Sequence, residues 1–418
     1  MNIDPNQPSP SARSSGFSRR ALLGGSASLT AATALARTSR AAPAATTRPV
    51  LIQVFLRQGM DGLTTVVPYA DTHLYSLRPT LAIRPPGTPN GALDLDGFFG
   101  LAPSAAPLLT PYHDGRLVIV HAVGSNDTTR SHFEAFEMME FGDPSLPPGT
   151  VSSGWAARYL FETASSATGD LRGIAIGRLP LSLNQAPRTV PIGGFYFKFP
   201  GRVETSITRQ NAILSAYTAR QPIIAAPAID TIGSFGLGGI DFSQYVPENG
   251  AQYPTSGFGT NMKQMAALLK QDVGVEVISL DYEGWDLHAN FGPLGGAMAF
   301  LLRDLTLSLE AFYLDMLGRP DSYMLVCMTE FGRHVRENGS AGLDHGHGSA
   351  MLVMGNVNGG QVIADWPGLG PGSLDQGDLA ITIDYRDVLG EVLLRRLGVT
   401  DLAPIFPGHT FTPVGVVT

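Results

Sequence analysis

A chain of 418 residues suffices for one large α/β domain or two to three ordinary ones, and 44% hydrophobic against 15% charged residues allows a sizeable core. The formal charge of −8 and a sequence pI near 5.6 argue against a nucleic-acid binder, which would present a basic stripe. A single cysteine, Cys327, excludes an internal disulfide framework and a cysteine-rich zinc site.

Residues 1–17 are polar and without periodicity. Ser18-Arg19-Arg20-Ala21-Leu22-Leu23 then opens a mildly apolar run to Ala36. That run, about 16 residues, is short of the ~20 needed to span a bilayer. Charged flank, apolar middle and small-residue exit are the parts of a cleavable signal peptide. The paired arginines resemble the bacterial twin-arginine signal; a disordered basic tail is the plain alternative. Cleavage is expected after Ala36 or near Ala42. The plan is therefore a signal and linker over 1–42 and a single domain over 43–418. The twin-arginine export machinery is an expected partner, and the periplasm or the exterior the destination. No transmembrane segment is expected in the mature chain, because the apolar stretch Leu294 to Leu317 is interrupted by Arg303, Asp304, Glu310 and Asp315.

Val50–Leu56 is a continuous apolar run of the kind that forms a strand buried on both faces. Similar runs recur at Leu117–Val123, Val275–Leu280, Tyr323–Met328 and Ala350–Met354. Helical patterns lie between them: Ser131–Phe141, Trp155–Thr163, Gln210–Arg220, Met262–Gln271, Leu294–Leu317 and Tyr385–Leu397. This alternation predicts an α/β fold, a three-layer sandwich with a mostly parallel central sheet. Residues 143–150 and 223–260, rich in Gly, Pro, Ser and Asn, are expected to be inserted surface loops. Gly-rich segments near 236 and 368 lack the strand-to-helix setting of a dinucleotide fingerprint, so no nucleotide cofactor is expected.

Ligands of open α/β sheets bind at the carboxyl ends of the strands. Asp61 follows the first run, Asp286 and His288 follow the run at 275–280, and Glu330 with Arg333 follow the run at 323–328. His345 and His347 precede the run at 350–354. In extended backbone, residues i and i+2 share a side, so Asp286/His288 and His345/His347 can face one ion. Oxygen and nitrogen donors suit a divalent metal of zinc or manganese type, one or two ions, better than calcium. Each element also has a plain reading. Asp61-Gly62 is a turn, Glu330 pairs with Arg333, and Asp286 fixes His288 on a surface loop. Ser131, at a helix start after a polar loop, is a candidate nucleophile, with Thr128 and Thr129 behind it. Ser131 with Glu134 also reads as a capping box, while Arg130 is placed to clamp an anion.

The ordered set Leu56-Arg57-Gln58-Gly59-Met60-Asp61-Gly62-Leu63, Leu77-Arg78-Pro79-Thr80-Leu81, Arg130-Ser131-His132-Phe133-Glu134, Gly284-Trp285-Asp286-Leu287-His288, Thr329-Glu330-Phe331-Gly332-Arg333 and Asp344-His345-Gly346-His347-Gly348 resembles an exported bacterial family. That family is called domain of unknown function 1501, and the resemblance runs from about Val50 to Pro407. The family looks like a distant branch of the alkaline phosphatase and sulfatase superfamily. The resemblance implies metal binding by Asp61, by Asp286 and His288, by Glu330, and by His345 or His347, with Ser131 as nucleophile. Phe331 departs from it, standing where the superfamily carries a histidine, and the Asp286-to-His288 spacing is shorter than in the phosphatases. The formylglycine signature of sulfatases is absent. The expected function is hydrolysis of phosphate, phosphonate or sulfate esters by a metal-dependent enzyme, with Arg130 or Arg57 steadying the anionic ester substrate. The alternative is a non-catalytic binding or assembly protein that retains the fold.

Overall fold

The computed structural model describes residues 48–164, 171–192, 205–220 and 244–418. The expected signal and linker over 1–42 lie outside the described residues, as do 223–243 of the second expected loop.

Nine strands form one sheet: β1 (Val50–Leu56), β2 (Leu117–Gly124), β3 (Gly173–Ile176), β4 (Thr189–Ile192), β5 (Val277–Tyr282), β6 (Tyr323–Met328), β7 (Ser349–Gly355), β8 (Gln361–Ile363) and β9 (Ile383–Asp384). Their order is β8-β2-β7-β6-β1-β5-β3-β4, with β9 also on β2. β1 lies at the centre, parallel to β5 and β6, with Leu51 opposite both Val277 and Met324. β7 alone runs against its neighbours β6 and β2. That reversal matters for function. It brings the residues before β7 to the edge where β1, β2, β5 and β6 end.

The sheet is a middle layer. Six helices of eight residues or more are described: α1 (His132–Phe141), α2 (Trp155–Glu162), α3 (Ser206–Arg220), α4 (Gly257–Lys270), α5 (Ala297–Asp315) and α6 (Tyr385–Arg396). Ile52, Val54 and Leu56 pack on one side in a core shared with Met262 and Met265 of α4 and Leu302 and Leu305 of α5. Leu51 and Phe55 point the other way, to Met139 of α1, Trp155 and Tyr159 of α2, and Val388 and Val392 of α6. Both faces are covered, so β1 has no position for a polar face, and its apolar run is uninterrupted but for Gln53.

The expected α/β sandwich is thus present, and the differences are local. β5 begins and ends two residues later than its apolar run, at Val277 and Tyr282. α4 starts five residues before its expected start, inside the expected loop, because Ser256 caps it through Gly259 N (2.9 Å); Gly257 and Gly259 dilute the pattern there. The preceding stretch is pinned by buried Asp315, which accepts from Tyr245, Tyr253, Lys270 and the backbone of Glu248. Residues 143–150 form turns. Strands β3, β4, β8 and β9 are too short to show a pattern, and Pro191 suits β4 because that strand lies at the sheet edge. Among the described residues no helix is long and apolar enough to cross a membrane.

Candidate metal centre

Two close backbone approaches build the edge above β6 and β7. Gly332 N donates to His347 O (2.7 Å) and Gly346 N to Gly332 O (2.9 Å), with Arg333 and His345 forming an isolated bridge. A Cβ on Gly332 would lie 2.1 Å from Gly348 O, and one on Gly346 would lie 2.3 Å from Arg333 C. Only glycine fits there. Beyond β5, buried Trp285 anchors the loop through Nε1 to Tyr282 O (3.0 Å). The next residue, Asp286, reaches back over the edge.

Four side chains meet at Asp286 Oδ1. His288 Nε2 lies 2.9 Å from it, Arg333 Nη1 2.9 Å, His345 Nε2 3.2 Å and His132 Nε2 3.4 Å. Exposure runs from 0% at Arg333 and 14% at His132 to 44% at His288, so the cluster is walled on one side and open on the other. Burial pushes the Asp286 carboxyl up, but the Arg333 guanidinium, with His132 and His288, outweighs that and holds it at about 2. It is an anion at any physiological pH.

The outer nitrogens of the three rings are all committed. Nδ1 of His132 faces Glu330 Oε1 (2.6 Å), that of His288 faces Asp344 Oδ1 (2.9 Å), and that of His345 faces Arg130 O (2.7 Å). A carbonyl or carboxylate only accepts, so each Nδ1 carries a proton and each Nε2 is turned inward toward Asp286. His288 Nε2 and His345 Nε2 are 3.0 Å apart. Two lone pairs at that distance repel unless a proton or a cation sits between them. A proton is disfavoured on His345, whose pKa is lowered by burial first and then by His132 and Arg333. His132 Nε2 is buried and has no hydrogen-bond partner among the described residues. These features fit a cation. A tetrahedral zinc site with bonds of about 2.0–2.1 Å separates its donors by roughly 3.3 Å, comparable with the spacings around Asp286. Carboxylate or carbonyl partners behind each ligating histidine are the usual supporting shell of such a centre. Among the described residues, His132, Asp286 and His345 are the group whose ligand atoms all lie within 4.8 Å of one another.

Asp286, His288 and His345 therefore come together as the sequence suggests, and three other expected ligands do not. Asp61 is gripped by Arg78, Nη1 to Oδ2 at 2.5 Å and Nη2 to Oδ1 at 3.0 Å, and also caps the short helix Gly62–Thr65. Glu330 stands behind His132 rather than in the cluster, and also accepts from Gln58 N (2.8 Å). His347 has both nitrogens engaged elsewhere: Nδ1 with Asp375 Oδ2 (2.7 Å), Nε2 with the carbonyls of Ser125 and Asp127. His132 replaces them. It obeys the strand-end rule, following β2 and its polar loop, and sits one residue past the serine at the helix start.

The anion-handling residues also differ from expectation. Arg57 is buried under Phe55 and Phe136, bonded to Glu140 and Asp281. Arg130 gives its guanidinium to Asp378 (2.8 Å) and only its carbonyl to the centre. Ser131 takes the cap position of α1 without a side-chain capping bond. The expected capping box is absent, because Glu134 binds the Thr129 hydroxyl instead (2.7 Å). The Ser131 hydroxyl makes no hydrogen bond among the described residues, while its neighbours on either side both hold the cluster.

No curated protein matches the chain. Among solved structures, Ps i-CgsB in complex with k-i-k-neocarrahexaose is 9% identical with a TM-score of 0.39, covering 87% of this chain and 75% of that one. The C-terminal periplasmic domain of EcEptC from Escherichia coli, in complex with Zn, is 10% identical with a TM-score of 0.32, covering 74% and 73%. A mutant of TAB5 alkaline phosphatase with Mg bound in the M3 site is 12% identical with a TM-score of 0.32, covering 74% and 91%. Residues 241–399 match the model of the family described as "Protein of unknown function (DUF1501)".

Proposed function

We propose that the chain is an exported metal-dependent hydrolase of phosphate, phosphonate or sulfate esters, with one divalent cation of zinc or manganese type held by His132, Asp286, His288 and His345. One observation carries this reading. Three imidazoles whose outer protons are committed turn their Nε2 atoms onto one carboxylate oxygen. A divalent cation there would polarise the ester and ease ionisation of a nearby hydroxyl. Ser131 is the nucleophile of this proposal. Its oxygen bonds to phosphorus or sulfur, the ester bond to the leaving oxygen breaks, and the serine proton goes to that oxygen. Water then cleaves the seryl ester and restores the hydroxyl. Glu330, Asp344 and the Arg130 carbonyl hold the rings, and Arg333 holds Asp286.

Elemental analysis and ester turnover of the natively exported protein test the reading together. Metal retained through purification, and turnover lost with chelator or in Asp286→Ala, are expected; a folded protein that binds no divalent ion overturns it. One observation favours a non-catalytic binding or assembly protein: the Arg130 guanidinium meant for the anion is engaged by Asp378. Undiminished turnover in Ser131→Ala would remove the nucleophile from the proposal. Export by the twin-arginine route belongs to the same proposal, and retention of the precursor in the cytoplasm by Arg19→Lys with Arg20→Lys tests it.

A further inference from the structure

Charge around the centre limits which ester it accepts. Four charged side chains are in the cluster or bonded to it. Arg333 is positive; Asp286, Glu330 and Asp344 are negative; and imidazoles that ligate a cation through Nε2 add no formal charge. That leaves a deficit that one divalent cation meets fully. Among the described residues a second cation finds no free ligand pair nearby, since Asp61 belongs to Arg78 and His347 to Asp375 and two carbonyls. The loaded centre is formally neutral.

Among the described residues no spare cation adjoins it. All five N–H groups of Arg333 are used, on Gly59 O, Leu343 O, Gln58 O, Trp285 O and Asp286. The Arg130 guanidinium is faced by Asp378 at 2.8 Å and Asp375 at 3.9 Å, with Asp127 beside them. Three carboxylates thus surround the Arg130 guanidinium.

Resting on the hydrolase reading above, we propose that the substrates are monoanionic esters, that is phosphodiesters, phosphonate monoesters or sulfate monoesters, and not dianionic phosphate monoesters. A neutral centre in an acidic setting accepts one negative charge at far less cost than two. In the diester case, water supplies the new oxygen on phosphorus, one P–O ester bond breaks, and the departing oxygen leaves as an alcohol. The other product is a phosphate monoester with a second ionisable oxygen. That extra charge drives it from the site, so turnover is not held back by product.

The test compares the metal-loaded protein on bis(p-nitrophenyl) phosphate, p-nitrophenyl sulfate and p-nitrophenyl phosphate at pH 8.5, where the last is a dianion. A kcat/KM about 100-fold higher for at least one monoanion is expected from the charge difference. Calorimetry with inert ligands gives a second readout: methyl phenylphosphonate, a monoanion, should bind more tightly than phenylphosphonate, a dianion. Asp344→Asn removes one negative charge while its amide oxygen still accepts from His288, and it should raise the monoester-to-diester ratio about tenfold. Equal or better turnover and binding of the dianions by a protein that holds its metal overturns the substrate class alone. Failure to hold any metal overturns the hydrolase reading, and the substrate class with it.

Discussion

His132 Nδ1 meets Glu330 Oε1 at 2.6 Å, and the Glu330 side chain is wholly excluded from solvent. This contact, with Phe331 stacked on the ring at 4.7 Å between centroids, fixes which way Nε2 points. The residue that stands where a histidine was expected therefore still serves the centre, as a wall for another histidine.

Glu330→Ala should free the His132 ring without removing a ligand. Loss of such a supporting partner typically costs about 10–100-fold in metal affinity. Competition with a fluorescent zinc chelator measures this directly, and an unchanged dissociation constant would show that Glu330 does not orient the ring.

His132 and His347 should part company in the same assay. His132→Ala removes a ligand and should abolish tight binding. His347→Ala leaves the centre intact, because both nitrogens of His347 serve Asp375 and the carbonyls of Ser125 and Asp127. It should instead cost about 1–3 kcal/mol of stability by stranding those buried acceptors. Loss of metal in both variants would return His347 to the ligand set.

How far the sequence disclosed this arrangement depends on how local each determinant is. The buried strands were visible because a run such as Val50–Leu56 needs no partner to be recognised. Asp286, His288 and His345 were visible through the strand-end rule. The side of His347 was not. Residues i and i+2 share a face only in regular extended chain, and the backbone bends at His347, turning it from Asp286 to Asp375. Nor was the fate of Asp61 visible. Its partner Arg78 lies 17 residues on, and the pairing depends on the turn through Leu77 and on the carbonyls of His334 and Val335 that Arg78 also reaches. The reversed direction of β7, which delivers His345 to the site, leaves no mark in composition.

The Asp61–Arg78 pair is buried on both sides, each side chain 1% exposed. Arg78→Ala leaves an uncompensated carboxylate in the core and should cost about 3–5 kcal/mol. Asp61→Leu with Arg78→Met replaces both charges by apolar groups and should cost less than the single change, by the same reasoning. Urea denaturation of the three proteins decides it. A double variant less stable than Arg78→Ala would mean that the pair itself, and not the stranded charge, carries the energy.

His121, in the middle of β2, should make the protein sensitive to mild acid. Its ring is buried between Phe99, stacked at 5.3 Å, and Trp366. It receives Ala122 N on Nδ1 (2.7 Å) and donates Nε2–H to Val66 O (3.0 Å), so it is held neutral. Burial lowers its pKa from 6.5 to about 4. Between these two values the unfolded chain takes up a proton that the folded one refuses. The stabilising contribution is therefore complete above about pH 6.5, drains as the pH falls toward 4, and changes no further below that. A shift of this size corresponds to roughly 3 kcal/mol. Denaturation of the metal-free protein at pH 7.5 and pH 4.5 should show that loss in the wild type over and above His121→Gln, in which nothing titrates at this position. The centre's own histidines contribute equally to both proteins and cancel. Parallel pH profiles for the two would mean that His121 accepts its proton without unfolding the strand.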